Sequence, residues 1–515
     1  MGTTDLQALA AHLAKRGLLA RASNLPSPDE APTVVCGADC DSRVVAPGHL
    51  FVCKGIHFDP AYLTMAIEAG ACGYLCDERL ADRLASIAPT TPALVATDIR
   101  SSMAVASADA WGHPNRRMQV VGITGTKGKT TAAYFVRAIL DGSQEGSRAA
   151  TMGTLETYDG VERFVSRNTT PEAPDLWRHL AHAADSGLDM VMEVSSQGLK
   201  YQRVEGLAFN VAAFLNIGVD HVSPIEHPTF EDYFASKLKI FEHAQVALIN
   251  AALDPAHIAQ VLEAARGCAR TVLFAADDQP ANADVLKPEF HASDVSAQAD
   301  GMSFVIHTPQ WQAPAHIALS GDFNVENAMA AVAITQLMGC SKQQILQGLA
   351  SCHVPGRMDV ITGENPNMVA IVDYAHNGMA VSQALSTVRA SYPHHRIIAV
   401  FGATGGKGAE RRFEMPPAAA PYADHLIFTE DDPGPEPVAR ICAQMAQATP
   451  EGTSHETVLD RTDAIAHALD MARQDGGPCV VCVLGKGHEA RQLRADGPAA
   501  MIPDGKLVRS LLSNG

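Results

Sequence analysis

The chain has 515 residues, too many for a single hydrophobic core, and about three domains are expected. Its composition, 47% hydrophobic and 19% charged with only 5% aromatic residues, is that of an ordinary globular protein. The formal charge of -18 excludes a general nucleic-acid or membrane-surface binder, which needs a basic face. No apolar run approaches the length of a membrane span and no signal-peptide core opens the chain, so no membrane span is expected and the cytoplasm is the expected address.

Residues 1–113 open with a helical pattern over 6–19 and continue through short strands such as 50–53. Trp111-Gly112-His113-Pro114-Asn115 breaks the pattern and reads as a linker. From 116 to about 350, apolar runs at 190–194, 211–217 and 246–250 alternate with helical patterns, the mark of an α/β domain with a mainly parallel sheet.

The most informative stretch is Val120-Val121-Gly122-Ile123-Thr124-Gly125-Thr126-Lys127-Gly128-Lys129-Thr130-Thr131, an apolar strand running into a glycine-rich turn. Ala132, Phe135, Val136, Ile139 and Leu140 recur at helical spacing directly behind it. Such a turn is a phosphate-binding loop: backbone N–H groups at the helix start face the phosphates, Lys129 meets the terminal phosphates, and the Thr130 hydroxyl meets Mg²⁺. Gly125 precedes Gly128 by only three positions, shorter than the ordinary P-loop spacing. Glu193, at a strand end before Ser195-Ser196-Gln197, is placed to hold Mg²⁺, and His221, after Asn216 and Asp220, follows the next strand in the same way.

A second boundary is expected near Val354-Pro355-Gly356-Arg357, giving domains 1–113, 114–353 and 354–515. Beyond it, apolar runs at 368–372, 397–401, 425–428 and 479–484 each stop at glycine or polar residues, as parallel strands do at a ligand crevice. The eleven cysteines are an odd number at mostly apolar positions and fit reduced thiols. Cys479 and Cys482 have metal-like spacing, but they lie in a strand-like run with no partner pair and read as buried structural thiols.

TGTKGKTT at 124–131, MEVSSQ at 192–197, Asn216 with Asp220-His221, Gly321-Asp322-Phe323-Asn324 with Asn327, VPGRM at 354–358 and DYAH at 373–376 together resemble the Mur ligases in content and order. Asn168-Thr169-Thr170-Pro171 and Gly485-Lys486-Gly487-His488-Glu489, with Asp41-Ser42-Arg43 and Pro47-Gly48 near the N-terminus, are similar to the branch that adds the third residue of the peptide stem. The resemblance implies three α/β domains: a uridine-nucleotide-binding domain, a central P-loop ATPase-like domain and a C-terminal Rossmann-like domain. It also implies ATP and Mg²⁺, a UDP-N-acetylmuramoyl-L-alanyl-D-glutamate substrate, and a monomer without nucleic-acid partners.

Carried over by motif, Gly125, Thr126, Lys127, Gly128, Lys129, Thr130 and Thr131 bind ATP together with Asn324 and Arg357. Ser42 contacts the uridine nucleotide, and Thr169, Thr170, Ser196 and Arg203 contact the muramoyl dipeptide. Lys237 matches the lysine that reacts with CO₂ to a carbamate, and joins Thr130, Glu193 and His221 around the metal. Lys129, Glu193, His221 and Lys237 are the expected catalytic set. Lys127 stands where asparagine is common in the family.

Diaminopimelate-adding members carry Asp-Asn-Pro-Arg at a strand end; this chain has Asp431-Asp432-Pro433-Gly434. Loss of the arginine and gain of a carboxylate favour an amino acid with a distal ammonium, L-lysine first and L-ornithine second. Arg412, with Arg411 as alternative, is expected on the α-carboxylate, and Asp431, Asp432 and Glu489 at the far end. The rivals are a folate-extending ligase, against which the N-terminal uridine-type motifs speak, and a nucleotide-binding switch or scaffold, against which the fully equipped catalytic positions speak.

Overall fold

The computed structural model describes residues 4–27, 29–55, 57–142, 147–166, 168–218, 223, 226–277, 286–298, 301–406 and 408–513. Two compact units divide the chain: residues 1–290 with 329–345, and residues 291–328 with 346–515. Residues 1–113 and the phosphate-loop domain therefore belong to one unit, and the boundary expected near Val354 lies inside the other.

The first unit holds two sheets. The N-terminal one runs in the order Leu19–Ser23, Ala93–Ala96, Gly73–Asp77, His49–Cys53, Gly37–Asp39, parallel except for its first strand. The helix expected over 6–19 spans Leu6–Lys15, buries Leu6, Leu9, Ala10 and Leu13, and is capped by Asp5. It stops because Gly17 takes φ +70, which turns the chain so that Leu19 starts a strand instead. Trp111 is buried and Pro114–Arg117 forms a 3-10 turn, so the segment expected as a linker is packed structure.

The central sheet has eight strands in the order Arg163–Phe164, Thr157–Tyr158, Ala149–Met152, Asp189–Glu193, Val120–Thr124, Phe209–Phe214, Ala244–Asn250, Arg270–Phe274. Strand Val120–Thr124 is wholly buried between two parallel neighbours, in register Ile123 to Glu193 on one side and Thr124 to Phe214 on the other. That register alone brings Glu193 and the segment after Phe214 to the mouth of the loop. One apolar core joins the two sheets, from Leu6 and Met103 to Trp177 and Phe214. Arg16 with Glu205 at 2.9 Å, Ser101 with Gln202 at 2.7 Å and Lys54 with Glu172 stitch the N-terminal domain to the central one.

The second unit holds a three-stranded antiparallel sheet, His291–Gln298, Gly301–His307 and Gln312–Ile317. It also holds a six-stranded sheet in the order Asp359–Thr362, Met368–Asp373, Cys479–Leu484, Arg396–Ala403, His425–Glu430, His455–Thr457, parallel but for its first strand. Cys479 and Cys482 lie buried in their strand, and burial pushes the Cys479 thiol up to about 11, which keeps it protonated and inert.

Candidate active site

The phosphate loop is a turn between the buried strand and helix Lys129–Asp141. Gly128 at φ +84 caps that helix, and Gly125 at φ +157 passes within 3.3 Å of Asn216 where a Cβ would stand. Asn216 holds the loop from the next strand: its carbonyl accepts from Thr126 N at 3.1 Å, its Oδ1 from Lys127 N at 2.9 Å, and its Nδ2 donates to Lys127 O at 3.2 Å. Thr126 Oγ1 receives Tyr233 OH at 3.0 Å. Thr131 is buried in the helix's first turn, and Phe135, Val136, Ile139 and Leu140 form its buried face.

Glu193 is 2% exposed, and every donor on its carboxylate is neutral. Oε1 accepts from Thr154 N at 2.8 Å, and Oε2 accepts from Thr130 Oγ1 at 2.9 Å and Thr154 Oγ1 at 3.1 Å. A Cβ on Gly153 would lie 2.3 Å from Oε1, so the glycine is what admits the carboxylate. Among the described residues no lysine or arginine pairs with Glu193. A buried carboxylate lacking a cation, beside a threonine hydroxyl at a phosphate loop, is a donor set suited to Mg²⁺, which takes one or two carboxylates and completes its shell with phosphate and water.

Lys129 Nζ donates to Gly125 O at 2.8 Å and Thr126 O at 3.2 Å. Lys237 is 1% exposed on helix Phe230–Leu238; its Nζ also donates to Gly125 O, at 2.8 Å, and lies 4.8 Å from the Tyr233 ring centre. Two ammonium groups on one carbonyl oxygen repel each other. An incoming phosphate, or conversion of one ammonium to an anion, relieves that repulsion. His221, expected at the metal, and its motif neighbour Asp220 lie outside the described residues.

Thr170 Oγ1 donates to Glu193 O at 3.0 Å and accepts from Ser195 N at 2.9 Å, while Thr169 Oγ1 stands 3.0 Å from Thr154 Oγ1. Arg203 donates to Thr170 O at 2.9 Å and pairs with Glu172 at 2.7 Å, and Glu172 also binds Lys54. Ser196 is buried at the start of helix Ser196–Lys200, for which Ser195 is the cap. Ser42, in the N-terminal domain, is 8% exposed with Oγ 3.9 Å from Met65 Sδ.

In the second unit, Asn324 is buried, donates to Ser320 O at 2.7 Å and accepts from Asn327 Nδ2 at 3.2 Å. Arg357 lies over the Tyr374 ring at 5.0 Å, with its Nε unpartnered. Asp373, at its strand end, fixes the neighbouring backbone by accepting from Met358 N and Ala375 N, each at 2.8 Å.

The amino-acid end differs from expectation at two points. Arg412 is 4% exposed and committed: it donates to Glu436 at 2.8 and 2.6 Å, to Gln444 at 2.7 Å and to Thr404 O at 2.9 Å. A guanidinium so engaged anchors helix Arg411–Ala419, while Arg411, the alternative expected for the substrate carboxylate, is only half-buried. Asp432 is also engaged, because the buried Lys486 ammonium donates to it at 2.8 Å and also pairs with Glu489. Gly434 sits at φ +57, so an arginine there would be strained.

Asp431 has the properties expected of Asp432. It is 5% exposed, has no hydrogen-bond donor on its carboxylate among the described residues, and has Oδ2 2.5 Å from where a Cβ on Gly485 would stand. Burial pushes its pKa up to about 6, against the pull of Arg461 and Lys486. Arg461 is itself neutralised by Asp504 at 2.7 Å. Three carboxylates, Asp431, Asp432 and Glu489, thus surround the single ammonium of Lys486, leaving two negative charges in excess.

Sequence reasoning missed Thr154, His227, Asp232 and the pairing of Lys486. Thr154 gave no signal, since it reaches Glu193 only through strand pairing across 39 residues. Lys486 lies between residues singled out by motif, and a buried lysine between acids could have been weighed.

Residues 123–335 match the Mur ligase middle domain and residues 356–487 the Mur ligase glutamate ligase domain. A UDP-N-acetylmuramoyl-L-alanyl-D-glutamate--L-lysine ligase of Enterococcus faecalis is 37% identical over 88% of this chain and 86% of its own. A UDP-N-acetylmuramyl-tripeptide synthetase of Bifidobacterium longum is 37% identical over 88% of this chain and 87% of its own. Among solved structures, a UDP-N-acetylmuramoyl-L-alanyl-D-glutamate--2,6-diaminopimelate ligase shares the fold with a TM-score of 0.66 at 24% identity, over 99% of both chains.

Proposed function

The chain belongs to the Mur ligase family, and we propose that it joins L-lysine to UDP-N-acetylmuramoyl-L-alanyl-D-glutamate at the expense of ATP, as a cytoplasmic monomer. The observation that carries the choice of amino acid is the excess of two negative charges at Asp431, Asp432 and Glu489 around Lys486, which a distal ammonium offsets and a distal carboxylate aggravates. Among the described residues no helix is long and apolar enough to cross a membrane.

A carboxylate is a poor electrophile, so amide formation needs its activation. An oxygen of the substrate's glutamate carboxylate attacks the γ-phosphorus of ATP and ADP leaves. The amine nitrogen then attacks the carbonyl carbon of the acyl phosphate, loses a proton, and phosphate departs. Catalysis of such transfers is mostly positioning and charge neutralisation. Lys129 and the loop N–H groups would hold the phosphates. Glu193 and Thr130 would hold Mg²⁺, which when bound would neutralise phosphate charge. Lys237, as a carbamate, would supply a further anionic oxygen. Thr169, Thr170, Ser196 and Arg203 receive the dipeptide, Ser42 the uridine nucleotide, and Arg411 the α-carboxylate of the amino acid.

The test is phosphate release from ATP with L-lysine, L-ornithine and meso-diaminopimelate side by side. Release is expected only when the nucleotide dipeptide and an amino acid are both present, with the highest kcat/KM for lysine. Equal or better use of diaminopimelate overturns the choice of substrate, and release without the nucleotide dipeptide overturns the reaction.

A further inference from the structure

Behind Ser196 stands a chain of hydrogen bonds that the phosphate chemistry does not use. Ser196 Oγ lies 3.0 Å from His227 Nε2, His227 Nδ1 lies 2.7 Å from Asp232 Oδ2, and that oxygen also receives Lys200 Nζ at 2.6 Å. The imidazole is fully buried, with its edge against the Tyr233 ring at 5.2 Å. Tyr233 in turn donates to Thr126 of the phosphate loop, so the ring is fixed from both sides. Asp232 is held by the N-cap hydroxyl of Thr229 on its N–H at 3.2 Å, and Lys200 is anchored a second time on Glu226 O at 3.0 Å.

Direction follows from the inventory of donors. A carboxylate only accepts, and the Lys200 ammonium holds the Asp232 pKa below its usual range, so Nδ1 carries the proton on His227. With that one proton on the ring, Nε2 is a bare acceptor, and the proton in the 3.0 Å contact is that of the Ser196 hydroxyl. Ser196 is left with lone pairs alone for any other partner.

We propose that His227, oriented by Asp232, is a positioning residue that commits the Ser196 hydroxyl proton, so that Ser196 accepts from an amide N–H of the muramoyl dipeptide rather than donating to one of its carboxylates. The inference rests on the reading that Ser196 meets the dipeptide. The arrangement has the order of a Ser-His-Asp triad, but here it orients a recognition group and forms no bond.

Steady-state kinetics of the full-length enzyme test it, with KM measured separately for the nucleotide dipeptide, ATP and lysine. His227→Ala is expected to raise the nucleotide KM about tenfold with a smaller change in kcat, and His227→Gln, whose amide oxygen can take the serine proton, to recover most of that loss. In a Ser196→Ala background, His227→Ala should add no more than twofold, because its effect passes through the hydroxyl. An unchanged nucleotide KM in His227→Ala overturns the inference, as does an equal increment with and without the Ser196 hydroxyl. If His227→Ala does not fold, Asp232→Asn and His227→Gln decide: failure of Asp232→Asn to raise the nucleotide KM, or of His227→Gln to hold it near wild type, overturns it. Absence of turnover in the unaltered enzyme with the nucleotide dipeptide is a different result and sinks the proposed reaction instead.

Discussion

The loop end of the central domain and the strand ends of the C-terminal sheet surround their buried acids by opposite means. Around Glu193 the donors are backbone and neutral hydroxyls: Thr130 and Thr154 hold its carboxylate, Asn216 shapes the loop beside it, and among the described residues no lysine or arginine pairs with this acid. Around Lys486 the site is built from full charges, three carboxylates against one ammonium. The first arrangement suits a ligand every ATP-dependent ligase shares. The second carries an excess of acid over base, which in the proposed reaction is what would favour one amino acid over another.

The largest effect should come from the first region. Lys129→Ala is expected to lower kcat by a factor of 10² or more while circular dichroism and melting stay unchanged, since donors aimed at developing charge contribute about 3 kcal/mol or more. Near-normal turnover in the folded variant would remove the phosphate-loop assignment. Next, Lys237→Ala should lose most activity and Lys237→Arg should not restore it, because arginine keeps the wrong charge for a metal ligand. Mass spectrometry of the gently handled enzyme should find the added carboxylate on Lys237; fully active enzyme with unmodified lysine refutes the carbamate.

In the second region the effects are smaller and more selective. Asp431→Asn should lower kcat/KM for lysine about tenfold, equivalent to about 1.4 kcal/mol, and more than Asp432→Asn does, because Asp432 is already paired with Lys486. The reverse ranking would return the main role to Asp432. A pH series sharpens this. Protonation of Asp431 below about 6 removes its attraction for an ammonium, so the lysine KM should rise as pH falls through 6 and level off above it. Asp431→Asn should abolish that inflection. The least change in amino-acid KM is expected for Arg412→Ala, which should instead lower stability in denaturant titration, through the lost bonds of the buried guanidinium to Gln444 and Thr404 O and the loosened helix. A selective rise in amino-acid KM at full stability would return Arg412 to the substrate.

This contrast also governs what could be read from the sequence. The strand, the two glycines and the helix behind them are contiguous, so the loop at 120–131 was legible from local pattern, and Glu193 from its place at a strand end. The C-terminal strands were equally legible because each is an uninterrupted apolar run buried on both faces. The partners of charges were not. Glu436 stands 24 residues from Arg412, and Lys486 stands 54 from Asp432; no periodicity specifies which acid a buried cation will meet. His227 escaped for the same reason: its contact with Ser196 spans 31 residues, and a single histidine in a loop has no pattern of its own.

The apolar core that runs from Leu6 and Met103 into Trp177 and Phe214 bears on how the gene can be cut. A fragment ending at residue 113 would present Met103 and Trp111 to water together with severed ion pairs at Arg16 and Lys54 and a severed hydrogen bond at Ser101, whose partners all lie beyond residue 170. Such a fragment should be insoluble or sticky, and its complement should be no better, since Trp177 loses its cover. A recombinant boundary after residue 290 removes neither half of that core.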